Sequence, residues 1–263
     1  MYEKHLSFAG RDIAYFHQEG KNPLTIVYLH GFHSSKKDKE PVFEKEPFAP
    51  KAEKCILLKN LAERLNCGFL FLNYTGTGHS SGDVTDIRIG TCFEDAKAVI
   101  NTAVPNAPLL LVGSSLGGWI SLLLASHLKN VCGLIGIAAA PDFTDFVWNE
   151  YLLPEHKALL QSGKTLQVPE EQGGYCWTLG LFEEAKNYLI LNKTIQFTGP
   201  VILLQGDKDI AVPQKIPEKI KNALASDTVS IHLIKGVNHA FSSDTGLKHI
   251  ENAVMEMLTY LKD

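Results

Sequence analysis

Apolar positions along this chain of 263 residues follow two rhythms. Short continuous runs at Leu24–Leu29, Phe69–Asn73, Leu109–Val112, Gly133–Ala138, Val201–Gln205 and Val229–Ile234 have the length of strands buried on both faces. Between them, apolar residues three and four apart predict helices near Ala52–Leu65, Cys92–Ala103, Gln214–Leu224 and Gly246–Leu261. One more helix follows Leu109–Val112, where Leu116, Ile120, Leu123, Leu124 and Leu128 recur at helical spacing. His5–Phe8 and Ile13–His17 flank Ala9-Gly10-Arg11-Asp12 and predict an N-terminal β-hairpin. Strands alternating with helices imply an α/β fold, a mostly parallel sheet with helices on both faces. At this length, residues 1–263 are expected to form one domain.

The rhythm fails between about Asp142 and Pro200. Aromatics and leucines crowd that stretch, among them Phe143, Phe146, Trp148, Tyr151, Tyr175, Trp177 and Phe182, without strand–helix alternation. An insertion of this length after a sheet strand, residues 142–200, is expected to be a helical cap whose apolar underside faces the site.

Candidate chemistry sits at the strand–helix junction before Leu116. Gly113-Ser114-Ser115-Leu116-Gly117 matches G-x-S-x-G, the turn that exposes a serine hydroxyl at the top of a sheet, and it singles out Ser115 rather than Ser114. The serine must take a strained backbone conformation, and the flanking glycines leave room for strand and helix to approach. Such a hydroxyl needs a base, and the base needs a carboxylate to fix its tautomer. Loops after the last two strands supply both in the order Ser, Asp, His. His239 follows Val229–Ile234 and precedes the closing helix, whereas His127 and His249 lie on helices, His232 in a strand and His156 in the insertion. Asp207 and Asp209 compete for the acid. Asp209 is favoured because it lies deeper in the loop, with Ile210 and Val212 expected to pack beside it. Oxyanion donors are expected from the N–H groups of Leu116, after the nucleophile, and Phe32, after His30-Gly31. His30 itself reads as structural.

Composition narrows the alternatives. Net charge is −4, and only Arg11, Arg64 and Arg88 are arginines. That balance argues against a nucleic-acid partner. Cys55, Cys67, Cys92, Cys132 and Cys176 lack metal-binding or disulfide spacing, so no metal and no cofactor is expected, and a reducing compartment is. Cys55, Cys92 and Cys132 read as core residues. No apolar run is long enough to span a bilayer, and no secretory pattern is visible at the N-terminus. A cytoplasmic location is therefore expected, with the oligomeric state left open.

Taken together, His30-Gly31-Phe32, Gly113–Gly117, the Gly206–Pro213 loop and Gly236-x-x-His239 resemble the α/β-hydrolase superfamily over nearly the whole chain. The extended elbow Val112–Trp119, the stretch Asn73-Tyr74-x-Gly76-x-Gly78-x-Ser80-x-Gly82, and Gly136-Ile137-Ala138 resemble the ABHD10-type branch. Its members are serine hydrolases acting on S-acylated proteins, acyl glucuronides and simple esters. The resemblance implies Ser115, Asp209 and His239 as the catalytic triad and a small-molecule ester or acylated protein as substrate. Two departures stand out: Asn73 replaces the branch's common Asp, and the loop after Phe32 is longer and more charged. The mitochondrial location of animal members is not expected here, since no Arg-rich segment precedes the hairpin. The function expected is carboxylesterase or acyl-thioesterase activity with a preference for apolar acyl groups. The rivals are a serine peptidase or amidase on the same triad, and a non-catalytic small-molecule binder.

Overall fold

The apolar runs become strands in the computed structural model, which describes residues 3–32, 53–168 and 176–261, but Val229–Ile234 is not buried on both faces: it is the half-buried edge of the sheet, with Leu233 60% exposed. The hairpin is β1 (Lys4–Phe8) and β2 (Arg11–Gln18). Ala9 and Gly10 make its tight turn, both at positive φ, which suits the twist of the paired strands. Then come β3 (Thr25–Leu29), β4 (Gly68–Leu72), β5 (Leu109–Ser114) and β6 (Val131–Ile137). Together with β9 (Val201–Gly206) and β10 (Val229–Ile234) they form an eight-stranded sheet in the order β1-β2-β4-β3-β5-β6-β9-β10. From β4 to β10 every pairing is parallel, and the hairpin joins antiparallel through β2 and β4. Strand C-termini of the parallel part therefore share one edge, where α/β proteins bind ligands.

Helices cover both faces. On one side α2 (Ile89–Ala103) and α3 (Leu116–Ala125) bury Ile89, Phe93, Val99, Trp119 and Leu122 against Val27, Leu29 and Leu111. On the other, α1 (Glu53–Arg64) and α8 (Asp244–Tyr260) bury Leu58, Leu61, Ile250 and Met257 against Ile26, Phe69 and Leu110. β5 thus feeds alternate residues to two cores, as a central parallel strand must. The hairpin is pinned by a buried charge: Arg11 Nε and Nη2 both lie 2.9 Å from Oδ1 of Asp95, while the Thr75 N–H donates to Oδ2 at 2.8 Å. Asp95 is completely buried, so it must be fully paired, and it is.

Residues 142–191 leave the sheet between β6 and β9. Helix α4 (Phe143–Phe146) runs into a wide π-type turn, Val147–Tyr151, followed by α5 (Pro154–Gln161). A two-stranded antiparallel ribbon, β7 (Leu166–Gln167) with β8 (Cys176–Trp177), precedes α6 (Leu179–Ala185). The stretch is therefore not all helical: the ribbon was not expected from its spacing, because two-residue strands leave no period to read. It has its own small core of Val147, Leu152, Leu160 and Phe182, sealed by rings of Trp148 and Trp177 at 5.3 and 5.8 Å from Phe182. Helix α7 (Ile216–Ala223) connects β9 to β10. The polar loop expected up to Pro50 lies outside the described residues beyond Phe32, as does Tyr175. All five cysteines are free. Cys55 and Cys92 are buried as expected, whereas Cys132 is only half-buried, its thiol against the Leu109 carbonyl.

Candidate active site

Ser115 occupies the turn between β5 and α3 at φ 53° and ψ −116°, a left-handed conformation that costs a non-glycine residue energy. Neighbours hold it there. Its N–H donates to the Ile137 carbonyl at 2.9 Å, and its carbonyl accepts from Gly118 and Ala140. The flanking glycines are required by contact: a Cβ on Gly117 would lie 2.0 Å from the Leu29 carbonyl oxygen, and one on Gly113 would lie 2.3 Å from that of Gly117. Ser114 is buried in the strand, while Ser115 is partly exposed at the sheet edge.

The two downstream loops converge on that serine. His239 Nε2 lies 3.1 Å from Ser115 Oγ, and Nδ1 lies 2.9 Å from Asp209 Oδ2. With Nδ1 protonated toward the carboxylate, Nε2 is left to accept the serine proton. Asp209 is held from its other side, Oδ1 accepting from the Ala211 and Val212 N–H groups at 2.9 Å each. Burial pushes this carboxyl up, but the His239 hydrogen bond and charge and the two N–H donors outweigh it, so it lies below its ordinary value.

Asp207 takes a different part. Its Oδ1 accepts from the Gly236 N–H at 2.6 Å, tying the acid loop to the histidine loop. Gly206 makes the approach possible, since a Cβ there would meet the Val237 carbonyl oxygen at 2.1 Å. Lys54, at the start of α1, donates to the Ala240 carbonyl beside His239, and burial lowers its pKa to about 8. One expectation fails. Ile210 does not pack beside Asp209: it is 80% exposed at the loop tip, and Val212, 2% exposed, does the packing alone.

Leu116 opens α3, where first-turn N–H groups have no helical acceptor and the helix dipole favours negative charge. Across from it, Gly31 lies so close that a Cβ there would be 3.2 Å from that of Ser115, which brings the adjoining Phe32 to the same side. His30 is buried beneath, its ring 4.5 Å from that of Tyr74 and its Nδ1 2.7 Å from the Gly31 carbonyl oxygen. It takes no part in the Ser115–His239–Asp209 chain.

Above the serine lies a cavity of about 670 Å³. Its walls include Phe32, Phe143, Phe146, Val147, Leu152 and Trp177, so most of its roof comes from residues 143–177. Phe143 bridges roof and floor, edge-on to both Phe32 at 6.5 Å and Trp119 at 5.8 Å. His156 and Gln167 are polar residues in that roof; the sequence places His156 only in the insertion, because nothing in the spacing of that stretch tells which side chains turn inward. Asp142 closes the base of the segment: its carboxylate accepts from Ile190 and Leu191 N–H groups at 2.8–3.1 Å. Burial raises its pKa despite those donors.

The sheet topology, the strained serine and the loops from the last two strands define an α/β hydrolase, and the chain has that fold and is a hydrolase. No protein-family model matches it. It is similar to the rat mitochondrial palmitoyl-protein thioesterase ABHD10, at 28% identity over 242 residues, covering 89% of this chain and 76% of that protein. Among solved structures, mouse alpha/beta hydrolase domain-containing protein 10 superposes with a TM-score of 0.82 at 25% identity, over 99% of this chain and all of that one. A crystal structure from Agrobacterium vitis S4 gives 0.84 at 26% identity over 97% of both chains. The likeness to the ABHD10-type branch therefore extends over nearly the whole fold.

Proposed function

We propose that this protein is a serine hydrolase cleaving carboxylic ester or thioester bonds through an acyl-enzyme on Ser115. The observation carrying the proposal is the hydrogen-bonded chain Ser115–His239–Asp209, at 3.1 and 2.9 Å, opening into an apolar cavity. His239 takes the Ser115 proton as Oγ attacks the acyl carbonyl, and the N–H groups of Leu116 and Phe32 hold the oxygen as it becomes negative. The same proton passes from Nε2 to the departing alcohol or thiol. Water, deprotonated by His239, then releases the acid and frees Ser115. Asp209 keeps the imidazole in the required tautomer and supports its positive charge.

Residues 142–200 serve in this reading as the cap that receives an apolar acyl group. An acylated protein or small-molecule ester is the substrate, and the rat relative's name as a palmitoyl-protein thioesterase favours the acyl side as the recognised part. Among the described residues no helix is long and apolar enough to cross a membrane. The five free cysteines suit a reducing compartment, cytoplasm and mitochondrial matrix alike, the cytoplasm being the location proposed and the mitochondrion that of the rat relative by name; fractionation of the native protein decides between them. Labelling with a serine-directed fluorophosphonate tests the chemistry. The wild type labels and Ser115→Ala does not; equal labelling of both would sink the proposal.

A further inference from the structure

Strand β9 reads Val-Ile-Leu-Leu-Gln-Gly, five apolar or small residues and one amide, Gln205, which is 1% exposed. A buried amide in a sheet core carries donors and acceptors that must be matched. Gln205 Nε2 lies 2.9 Å from Asp209 Oδ2 and 3.3 Å from the Val212 carbonyl oxygen. Its own Oε1 is buried and has no partner among the described residues. The reverse amide orientation is excluded by charge, since it would set Oε1 against a carboxylate and a carbonyl. An apolar residue would suit this position better unless the Nε2 contact serves the site.

We infer that Gln205 is a positioning residue of the hydrolase, holding Asp209 in the rotamer that meets His239. The inference rests on the serine-hydrolase reading above. Oδ2 accepts from both His239 Nδ1 and Gln205 Nε2, while Oδ1 takes the Ala211 and Val212 N–H groups. Four donors therefore fix the carboxylate plane, and Gln205 is the one that reaches it from the sheet rather than from its own loop. Because it shares Oδ2 with His239, it also moderates how strongly that oxygen draws on the imidazolium. Asp209 is thus oriented from the rigid strand end as well as by the N–H groups of its own loop.

The pH dependence of kcat/KM for a p-nitrophenyl ester, measured on the full chain as wild type, Q205L and Q205M, tests this. Among the described residues, the charged or titratable groups facing His239 include Asp209 itself, Asp207 and Lys208 in the acid loop, Lys54 on α1, and His156 and Tyr151 in the cavity wall, and all are common to the three proteins. In Q205L the carboxylate loses a donor, so kcat falls about tenfold with KM little changed. The acidic limb moves up by roughly half a pH unit, because the protonated imidazole is better stabilised. Q205M, close to glutamine in volume and apolar like its strand neighbours, keeps the fold where Q205L does not, lacks the donor equally and moves the limb the same way. A residue of merely structural value would lower Tm and leave the limb in place. An unmoved acidic limb in a folded Q205L or Q205M overturns the inference while leaving the hydrolase reading intact. A wild type without Ser115-dependent turnover overturns both.

Discussion

The loops at the sheet edge and the segment between β6 and β9 meet at Ser115, yet they are held by different forces. At the edge, backbone contacts dominate: glycines let main chains touch, and N–H donors fix Asp209 and Asp207. In the segment, side chains dominate, with aromatic rings packed edge-on around Phe182 and Phe143. Backbone contacts fix positions to fractions of an ångström and tolerate almost no added volume. Ring packing sets a surface whose shape changes with each substitution. In the proposed function, chemistry rests on the first kind of construction and substrate fit on the second.

The largest expected effect breaks the chemical half alone. Ser115→Ala should lower ester turnover by about 10⁴-fold or more with Tm nearly unchanged, read by steady-state assay and thermal denaturation. Gly117→Ala tests the tolerance of the edge. With a Cβ 2.0 Å from the Leu29 carbonyl oxygen, it should cost about 3 kcal/mol or more of stability in a urea titration. Wild-type stability there would show the edge to be softer than the contact implies. Phe146→Ala addresses the segment: kcat/KM for a long-chain ester should fall about tenfold, and for an acetyl ester less than twofold. Equal losses for both would assign Phe146 to the scaffold instead of the pocket.

Smaller effects separate the two carboxylates. Asp142→Ala leaves the Ile190 and Leu191 N–H groups without their acceptor and should cost about 1–2 kcal/mol, whereas Asp142→Asn, which keeps an acceptor and suits the left-handed backbone at φ 56°, should cost less. Their pH signatures have opposite sign. Asp209, depressed in the fold, contributes stability that is present above its ordinary value of 3.8 and lost as pH falls through its lower folded value. Asp142, raised in the fold, holds its proton there above pH 3.8, so its contribution declines as pH rises from 3.8 to its folded value. The stability of Asp142→Asn relative to wild type, read by urea titration, should therefore rise with pH across the acidic range, its small cost at the acid end shrinking as the wild-type carboxyl ionises.

How much of this was legible in the chain follows the same division. Strands β3, β5 and β9 stood out because burial on both faces demands an unbroken apolar run, and β10 spans Val229–Ile234 as read. Helix α2 begins at Ile89, three residues before the expected Cys92, because the apolar period alone does not mark where the first turn closes. The residues now found together at the site, Ser115, His239 and Asp209, were readable since each sits in a turn directly after a strand. Gln205 was not, because a polar residue at the end of an apolar run reads as the strand stopping. Ile210 misled for the converse reason: an apolar residue near a carboxylate reads as packing, but a tight loop must turn one side chain outward. In the segment, Phe143 touching Trp119 and Phe32 is a tertiary fact with no local period.

The Asp142 clasp gathers the two ends of the segment, and its return limb is held to the body as well, Glu184 accepting from the Gly90 N–H and Arg88 donating to Thr178. Leu181 and Ala185 of α6 belong to the same core as α2 and α3, whereas Val147, Leu152 and Leu160 pack within the segment. The stretch between α4 and α6 can therefore lengthen, shorten or be exchanged with less disturbance than α6 itself. For a lineage of such enzymes, new substrates can be sampled as a cassette swap above an unaltered serine, provided the acceptor at the clasp is kept.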